Sequence, residues 1–246
     1  MGRYLRILLT VAALLSVQSL HAAASGAEDA SSYVKRFEKR YRAAATLRTD
    51  FLERYSTSGR LDRAESGVAY FKRPGKMRWE YQAPEQNLFL IDGKTAWFYV
   101  PADHTVTRMP AKKSGDWRTP FALLAGKADV SRICGKVEID AGAQPSDHSL
   151  VMLRCEVRGA KATPEKQDGQ GDLEDVGAEL VQFELVRDTG ELRKVVVHQR
   201  GGVQVEFAFK NWEFNPSVAE SKFHFAAPPG VAIVNGETAA EDSGTK

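Results

Sequence analysis

The sequence is poor in the residues that build reactive centres. Its 246 residues include two cysteines and five histidines. A structural zinc site takes about four clustered ligands, and His21, His104, His148, His198 and His224 are scattered without ligand spacing. No Gly-x-Ser-x-Gly elbow, phosphate-binding loop or His-Glu-x-x-His helix occurs. The nearest approach to a dinucleotide fingerprint is Gly169-Gln170-Gly171, whose sixth position is Glu174 and which no apolar strand precedes. Glu80 and Asp92 resemble an acid/base pair in residue type alone, and an outward strand glutamate and a turn aspartate explain them more simply. No catalytic residue, metal centre or cofactor is expected. An excess of either charge is missing too, with 34 basic residues against 32 acidic ones. Such a balance creates no field that would gather nucleic acid.

Long apolar runs are confined to the start of the chain. Ile7 to Val17 falls short of the roughly 20 residues a spanning helix needs. With Arg3 and Arg6 before it and Ala22-Ala23-Ala24 after it, the run reads as a signal peptide over residues 1–24. Its removal leaves 32 basic and 32 acidic residues. No cysteine follows the cleavage zone, so no lipid is expected on the mature end. The expectation is a soluble, exported monomer with one domain over residues 25–234 and a disordered tail over 235–246. In an oxidising compartment Cys134 and Cys155 can pair. If Ser131 to Asp140 and Ser149 to Val157 form a hairpin with Ile139 opposite Leu150, the cysteines face each other across the ladder and a disulfide fits. Two free buried thiols are the alternative.

Two periodicities organise the rest. Tyr33, Phe37 and Tyr41 recur every four residues, with Ala44 continuing the stripe and Ser31 or Ser32 available as the cap. This predicts an amphipathic helix reaching about Ala45, laid on an apolar surface. After Thr46 the period becomes two. Strands are predicted at Leu47 to Tyr55, Gly67 to Arg73, Lys76 to Tyr81, Asn87 to Ile91, Thr95 to Val100 and His104 to Arg108. Others follow around each cysteine, and at Glu179 to Arg187, Glu191 to Gln199 and Val203 to Trp212. Asp92-Gly93, Asp188-Thr189-Gly190 and Arg200-Gly201-Gly202 are hairpin turns. This is a mainly β chain whose short links favour an antiparallel barrel or strongly curved sheet. Asp116 to Gly126 reads as a short helix, with Thr119 as cap, Pro120 first and Gly126 as the stop. Ala160 to Gly177 is polar and reads as a solvated loop.

Four pieces, in order, resemble the outer-membrane lipoprotein carrier family, LolA. They are Phe71-Lys72-Arg73-Pro74 leading to Met77-x-Trp79-x-Tyr81, then Asp92-Gly93-Lys94-x-x-Trp97-x-Tyr99-x-Pro101. Thr119-Pro120-Phe121-Ala122-Leu123-Leu124 comes third. Lys222-Phe223-His224-Phe225 with Pro228-Pro229-Gly230-Val231 is the last. The resemblance implies an open, unclosed antiparallel β-barrel covered by the N-terminal helix and a short lid helix. It implies a periplasmic chaperone that shelters the acyl chains of lipoproteins. Its partners would be acylated lipoproteins, an inner-membrane lipoprotein-releasing ABC transporter and an outer-membrane lipoprotein receptor. Phe51, Phe71, Met77, Trp79, Tyr81 and Leu90 would line the acyl cavity, although a packed core accounts for these apolar residues equally well. Arg73, Phe121 and Leu124 would gate the lid, with Arg73 donating to backbone carbonyls of Phe121 to Ala125. The Ala160 to Gly177 loop is longer than the family's usual link. A receptor of the LolB kind is disfavoured by the missing lipid-attachment cysteine, a lipoprotein-sensing regulator by the lack of a second domain. A periplasmic hydrolase would need a polar site inside the barrel.

Overall fold

A computed structural model describes residues 29–111, 119–126, 129–158 and 178–236. The expected signal peptide, the Ala160 to Gly177 loop and all but the first two residues of the expected tail lie outside them. The first helix, α1 (Ala30–Arg42), begins at Asp29 and not at a serine. The Asp29 carboxylate accepts from the Ser32 backbone N–H at 3.0 Å and from both serine hydroxyls. A charged acceptor is the stronger partner for the free first-turn donors. The helix ends three residues before the expected Ala45, with Lys39, Arg40 and Arg42 against its negative end.

Twelve strands follow among the described residues: β1 (Thr46–Thr57), β2 (Arg60–Lys72), β3 (Lys76–Ala83), β4 (Leu88–Ile91), β5 (Thr95–Val100), β6 (Thr105–Pro110), β7 (Cys134–Ile139), β8 (Leu150–Val157), β9 (Ala178–Val186), β10 (Leu192–Gln199), β11 (Val203–Phe214) and β12 (Ala232–Asn235). A one-turn helix, α2 (Val130–Ile133), precedes β7. The strands form one unclosed sheet in the order β12-β6-β5-β4-β3-β2-β1-β11-β10-β9-β8-β7. All neighbours are antiparallel except β12 and β6. The β1–β11 ladder joins the two halves of the chain, and α1 lies on the inner face. The Phe37 ring stands 6.3 Å from Phe183 of β9, and Tyr41 5.2 Å from Trp212 of β11.

Two strand boundaries depart from the pattern reading. The β2 strand starts at Arg60, seven residues before the expected Gly67, because Ser58 and Gly59 both adopt positive φ and close a two-residue hairpin. Its first five residues are exposed, so no alternation marks them. The β12 strand falls in a stretch with no strand prediction and includes Asn235, the first residue of the expected tail. Its exposed residues borrow a ladder from β6.

The cysteines do form a disulfide, with Cα atoms 5.4 Å apart. The expected register is corrected, however. Ile139 lies opposite Leu153, Cys155 opposite Val137 and Cys134 opposite Val157. A register shift between Cys134 and Lys136 takes up Gly135, and this irregularity brings the sulfurs together. The bridge closes a loop with a sequence separation of 21. A Cys134→Ala/Cys155→Ala variant is expected to lose about 3 kcal/mol of unfolding free energy in urea titration.

Close backbone approach fixes a second position. Gly67 pairs with both Phe51 and Tyr81, beside a register shift. A Cβ there would run into the Glu80 carbonyl and stand 3.0 Å from the Phe51 ring. Gly67→Ala is therefore expected to cost about 1–3 kcal/mol, whereas Gly201→Ala, with open space around it, would report only backbone strain. Parallel urea midpoints separate the two.

Candidate functional site

Alternation along the strands sends one set of side chains inward. From β1 come Leu47, Thr49, Phe51 and Glu53, from β2 Ala69 and Phe71, and from β3 Met77, Trp79 and Tyr81, all buried. Trp79 is at the centre of an aromatic group. Its ring lies 4.9 Å from Phe51, 5.7 Å from Phe71, 5.4 Å from Phe207 and 6.2 Å from Phe209. Phe207 and Phe209 of β11 were not among the expected lining residues. The period-two run Val205, Phe207, Phe209 carried the signal for them.

Leu90 is not with this set. It pairs with Arg78 and Trp97, whereas its neighbours Phe89 and Ile91 pair with Trp79 and Met77 and face inward. A period of two makes adjacent residues point oppositely, so Leu90 belongs to the outer face. It is still fully buried, because that face is covered too. Over it runs the segment after β11, where the Arg78 guanidinium donates to the Lys222 carbonyl at 3.0 Å and Phe225 stacks on Trp97 at 5.2 Å.

The interior ends in a polar layer. The Tyr81 hydroxyl donates to the buried Glu53 carboxylate at 2.7 Å, and Glu53 lies opposite Glu65 across the β1–β2 ladder. The ring of Tyr81 therefore faces the interior while its hydroxyl is committed.

Residues 119–126 cover the aromatic group. The expected helix is here a single 3-10 turn, Thr119–Ala122, followed by a turn that ends at Gly126 with φ of +74°. Asp116 to Arg118 lie outside the described residues. Phe121, Leu123, Leu124 and Ala125 are buried, and the Phe121 ring sits 5.0 Å from Trp79 and 4.9 Å from Phe207. Burying three such large side chains contributes roughly 5–9 kcal/mol as an upper figure. One backbone hydrogen bond adds about 1 kcal/mol, from the Gly75 N–H to the Ala125 carbonyl at 2.7 Å. Among the described residues, apolar fill outweighs hydrogen bonding in holding the cover down.

Arg73 occupies a different place from the expected one. Among the described residues its guanidinium donates to the Tyr41 carbonyl at 3.0 Å, at the C-terminal end of α1, and not to the carbonyls of Phe121 to Ala125. The negative end of the α1 dipole strengthens the Tyr41 carbonyl as an acceptor, although it also accepts from the Ala44 N–H at 3.2 Å. The link to the cover is steric. A Cβ on Gly126 would run into Arg73 Nη1 and stand 2.9 Å from Cζ. Burial, then the nearby Arg42 charge, lowers the Arg73 pKa, while Asp129 opposes them. A guanidinium remains protonated under such pressure.

The far side of the cover is tethered. The Val130 N–H donates to Glu38 of α1 at 2.9 Å, Arg42 pairs with Asp129 at 2.9 Å, and the disulfide follows at Cys134. Among the described residues no three of His, Cys, Asp or Glu are placed to hold a metal ion, and no helix is long and apolar enough to cross a membrane. Gly126→Ala should unseat the cover through both the positive φ and the collision with Arg73. The expected outcome is at least a threefold rise in the fluorescence of an apolar dye such as anilinonaphthalene sulfonate, at unchanged far-ultraviolet circular dichroism.

The family model described as "Outer membrane lipoprotein carrier protein LolA" matches residues 42–152. The outer-membrane lipoprotein carrier protein of Nitrosospira multiformis is 30% identical over 195 residues, spanning 78% of this chain and 83% of its own. That of Nitrosomonas europaea is 32% identical over 178 residues, 70% of this chain and 73% of its own. Among solved structures, an uncharacterized conserved protein from Thermus thermophilus superposes with a TM-score of 0.51 at 11% identity, over 84% of this chain and 98% of that one, which speaks to the fold alone. Sequence similarity over these lengths, on an unclosed twelve-stranded sheet with an apolar interior, places the chain in the outer-membrane lipoprotein carrier family, LolA.

Proposed function

We propose that this protein carries lipoproteins across the periplasm, from an inner-membrane ABC transporter to an outer-membrane receptor, by sheltering their acyl chains in the space that the cover now fills. It binds its cargo and does not transform it. The observation that carries this reading is the character of the cover. Phe121, Leu123 and Leu124 are buried apolar side chains held by one backbone hydrogen bond to the β2–β3 turn and by contact with Trp79, Phe207 and Phe209. They are the kind of group an acyl chain can replace. One long chain withdrawn from water is worth about 12 kcal/mol at about 0.8 kcal/mol per methylene. This exceeds the roughly 5–9 kcal/mol that the three cover side chains contribute. Cargo can therefore displace the cover, and the cover's return helps expel the cargo. The disulfide between Cys134 and Cys155 suits an exported protein.

Arg73 sets the balance between the two states. Its bond to Tyr41 on α1 does not depend on the cover, and with the cover down the guanidinium also has the close fit under Gly126. With the cover lifted, the same cation borders an acyl chain that cannot pair with it, so the loaded state is the strained one. The defining experiment is direct. The mature protein should bind a fluorescent diacyl lipopeptide and fail to bind the same peptide without its acyl chains; equal binding of the two would reject the carrier. Arg73→Leu replaces the charge by apolar surface and should retain cargo, slowing transfer to acceptor vesicles bearing the receptor by about tenfold. Unchanged transfer by Arg73→Leu would remove this residue from the release step.

A further inference from the structure

Among the described residues, the neutral donor at the centre of the interior has no partner. Trp79 is fully buried, and its indole Nε1–H finds no hydrogen-bond acceptor. Arg73 Nε, at the edge under the cover, is also unpaired, but its guanidinium already donates to Tyr41. Two neutral side chains turned into this interior are satisfied. Tyr81 donates to Glu53 at 2.7 Å, and the Thr49 hydroxyl donates to the Lys210 carbonyl at 2.9 Å. A buried donor without an acceptor is destabilising, because water satisfied it in the unfolded chain. The surrounding rings at positions 51, 71, 121, 207 and 209 are all phenylalanine. Phenylalanine at 79 would supply a ring without the orphan N–H.

The orphan is also in the right place. Phe121 of the cover rests 5.0 Å from the Trp79 ring, tilted against it, so the indole loses a neighbour and gains space beside it when Phe121 leaves. An acyl chain entering there is hydrocarbon except at its head, where an ester or amide carbonyl joins it to the rest of the molecule. That carbonyl is a neutral acceptor needing a neutral donor in an apolar wall. We propose, resting on the carrier reading, that the Trp79 indole N–H binds the ester or amide carbonyl at the head of one acyl chain. The residue thereby selects acyl over plain alkyl chains and fixes how deep the chain sits. The cost of the unpaired donor in the closed form also favours loading, since it is relieved only when a carbonyl arrives.

The test compares two ligands and two proteins by isothermal titration calorimetry. One ligand is a diacyl lipopeptide with ester-linked chains, and the other is its dialkyl ether analogue with chains of equal length. The parent should prefer the ester by about three- to tenfold, the value of one neutral hydrogen bond. Trp79→Phe should lose that preference, binding ester and ether with equal affinity whatever its overall affinity becomes. A parent that binds both ligands equally, or a Trp79→Phe variant that keeps the preference, overturns the assignment. A parent that binds neither ligand overturns the carrier reading and this inference with it. Nuclear magnetic resonance of the parent gives an answer independent of whether the variant folds. The Trp79 indole proton should move downfield on adding the ester ligand and not on adding the ether. An unmoved resonance in the presence of saturating ester ligand would refute the contact.

Discussion

The contact between Phe121 and Trp79 is the interaction on which the rest depends. An unclosed sheet that turns its phenylalanines and its central tryptophan to one side must put something apolar against them. Part of that demand is met permanently by α1, whose Phe37 and Tyr41 dock on β9 and β11. The remainder is met by eight residues with almost no secondary structure of their own. A segment of that kind gives up little backbone hydrogen bonding when it leaves. A strand in the same position would break a ladder. The proposed displacement of the cover rests on its local structure as much as on its hydrophobicity.

Arg73 and Gly126 define where the cover meets the frame. The arginine is fixed from the helix side through the Tyr41 carbonyl, and its own N–H bonds the Ala45 carbonyl at 3.0 Å. Glycine at 126 lets the chain pass over the guanidinium at a distance no other residue permits. The fit couples α1, the β2–β3 turn and the cover at one point without a direct hydrogen bond between arginine and cover. Beyond this point the chain is tied down by Glu38, by the Arg42–Asp129 pair and by the disulfide. The stretch that carries Phe121 and Leu124 has no such ties among the described residues beyond the Gly75–Ala125 hydrogen bond.

The inner and outer faces of the sheet are both covered, by different means. Inside, apolar rings pack on one another. Outside, between β3 and β5, the segment after β11 buries Phe223, stacks Phe225 on Trp97 and fastens itself through Arg78 and Lys222. Lys222 also stands 4.6 Å from the Tyr70 ring centroid. Burial alone therefore does not mark the candidate site, as Leu90 shows. Its exposure matches that of Trp79, but it stands on the other side of the sheet.

Period-two alternation and turn residues were legible in the sequence, and they determined most of the strands and the helix that docks through Tyr33, Phe37 and Tyr41. They did so because a strand's side-chain direction is a local property. That the face bearing Phe71, Met77, Trp79 and Tyr81 points inward came from the family resemblance. Elements without alternation were lost to view, as with the exposed first half of β2 and the parallel β12. Four matters were decided only by the tertiary structure. These are the register that joins Cys134 to Cys155, the face on which Leu90 lies, the acceptor that Arg73 chooses and the isolation of the Trp79 N–H. Each depends on which distant segment comes to lie opposite a given atom. A pattern of neighbours along the chain carries no record of that pairing.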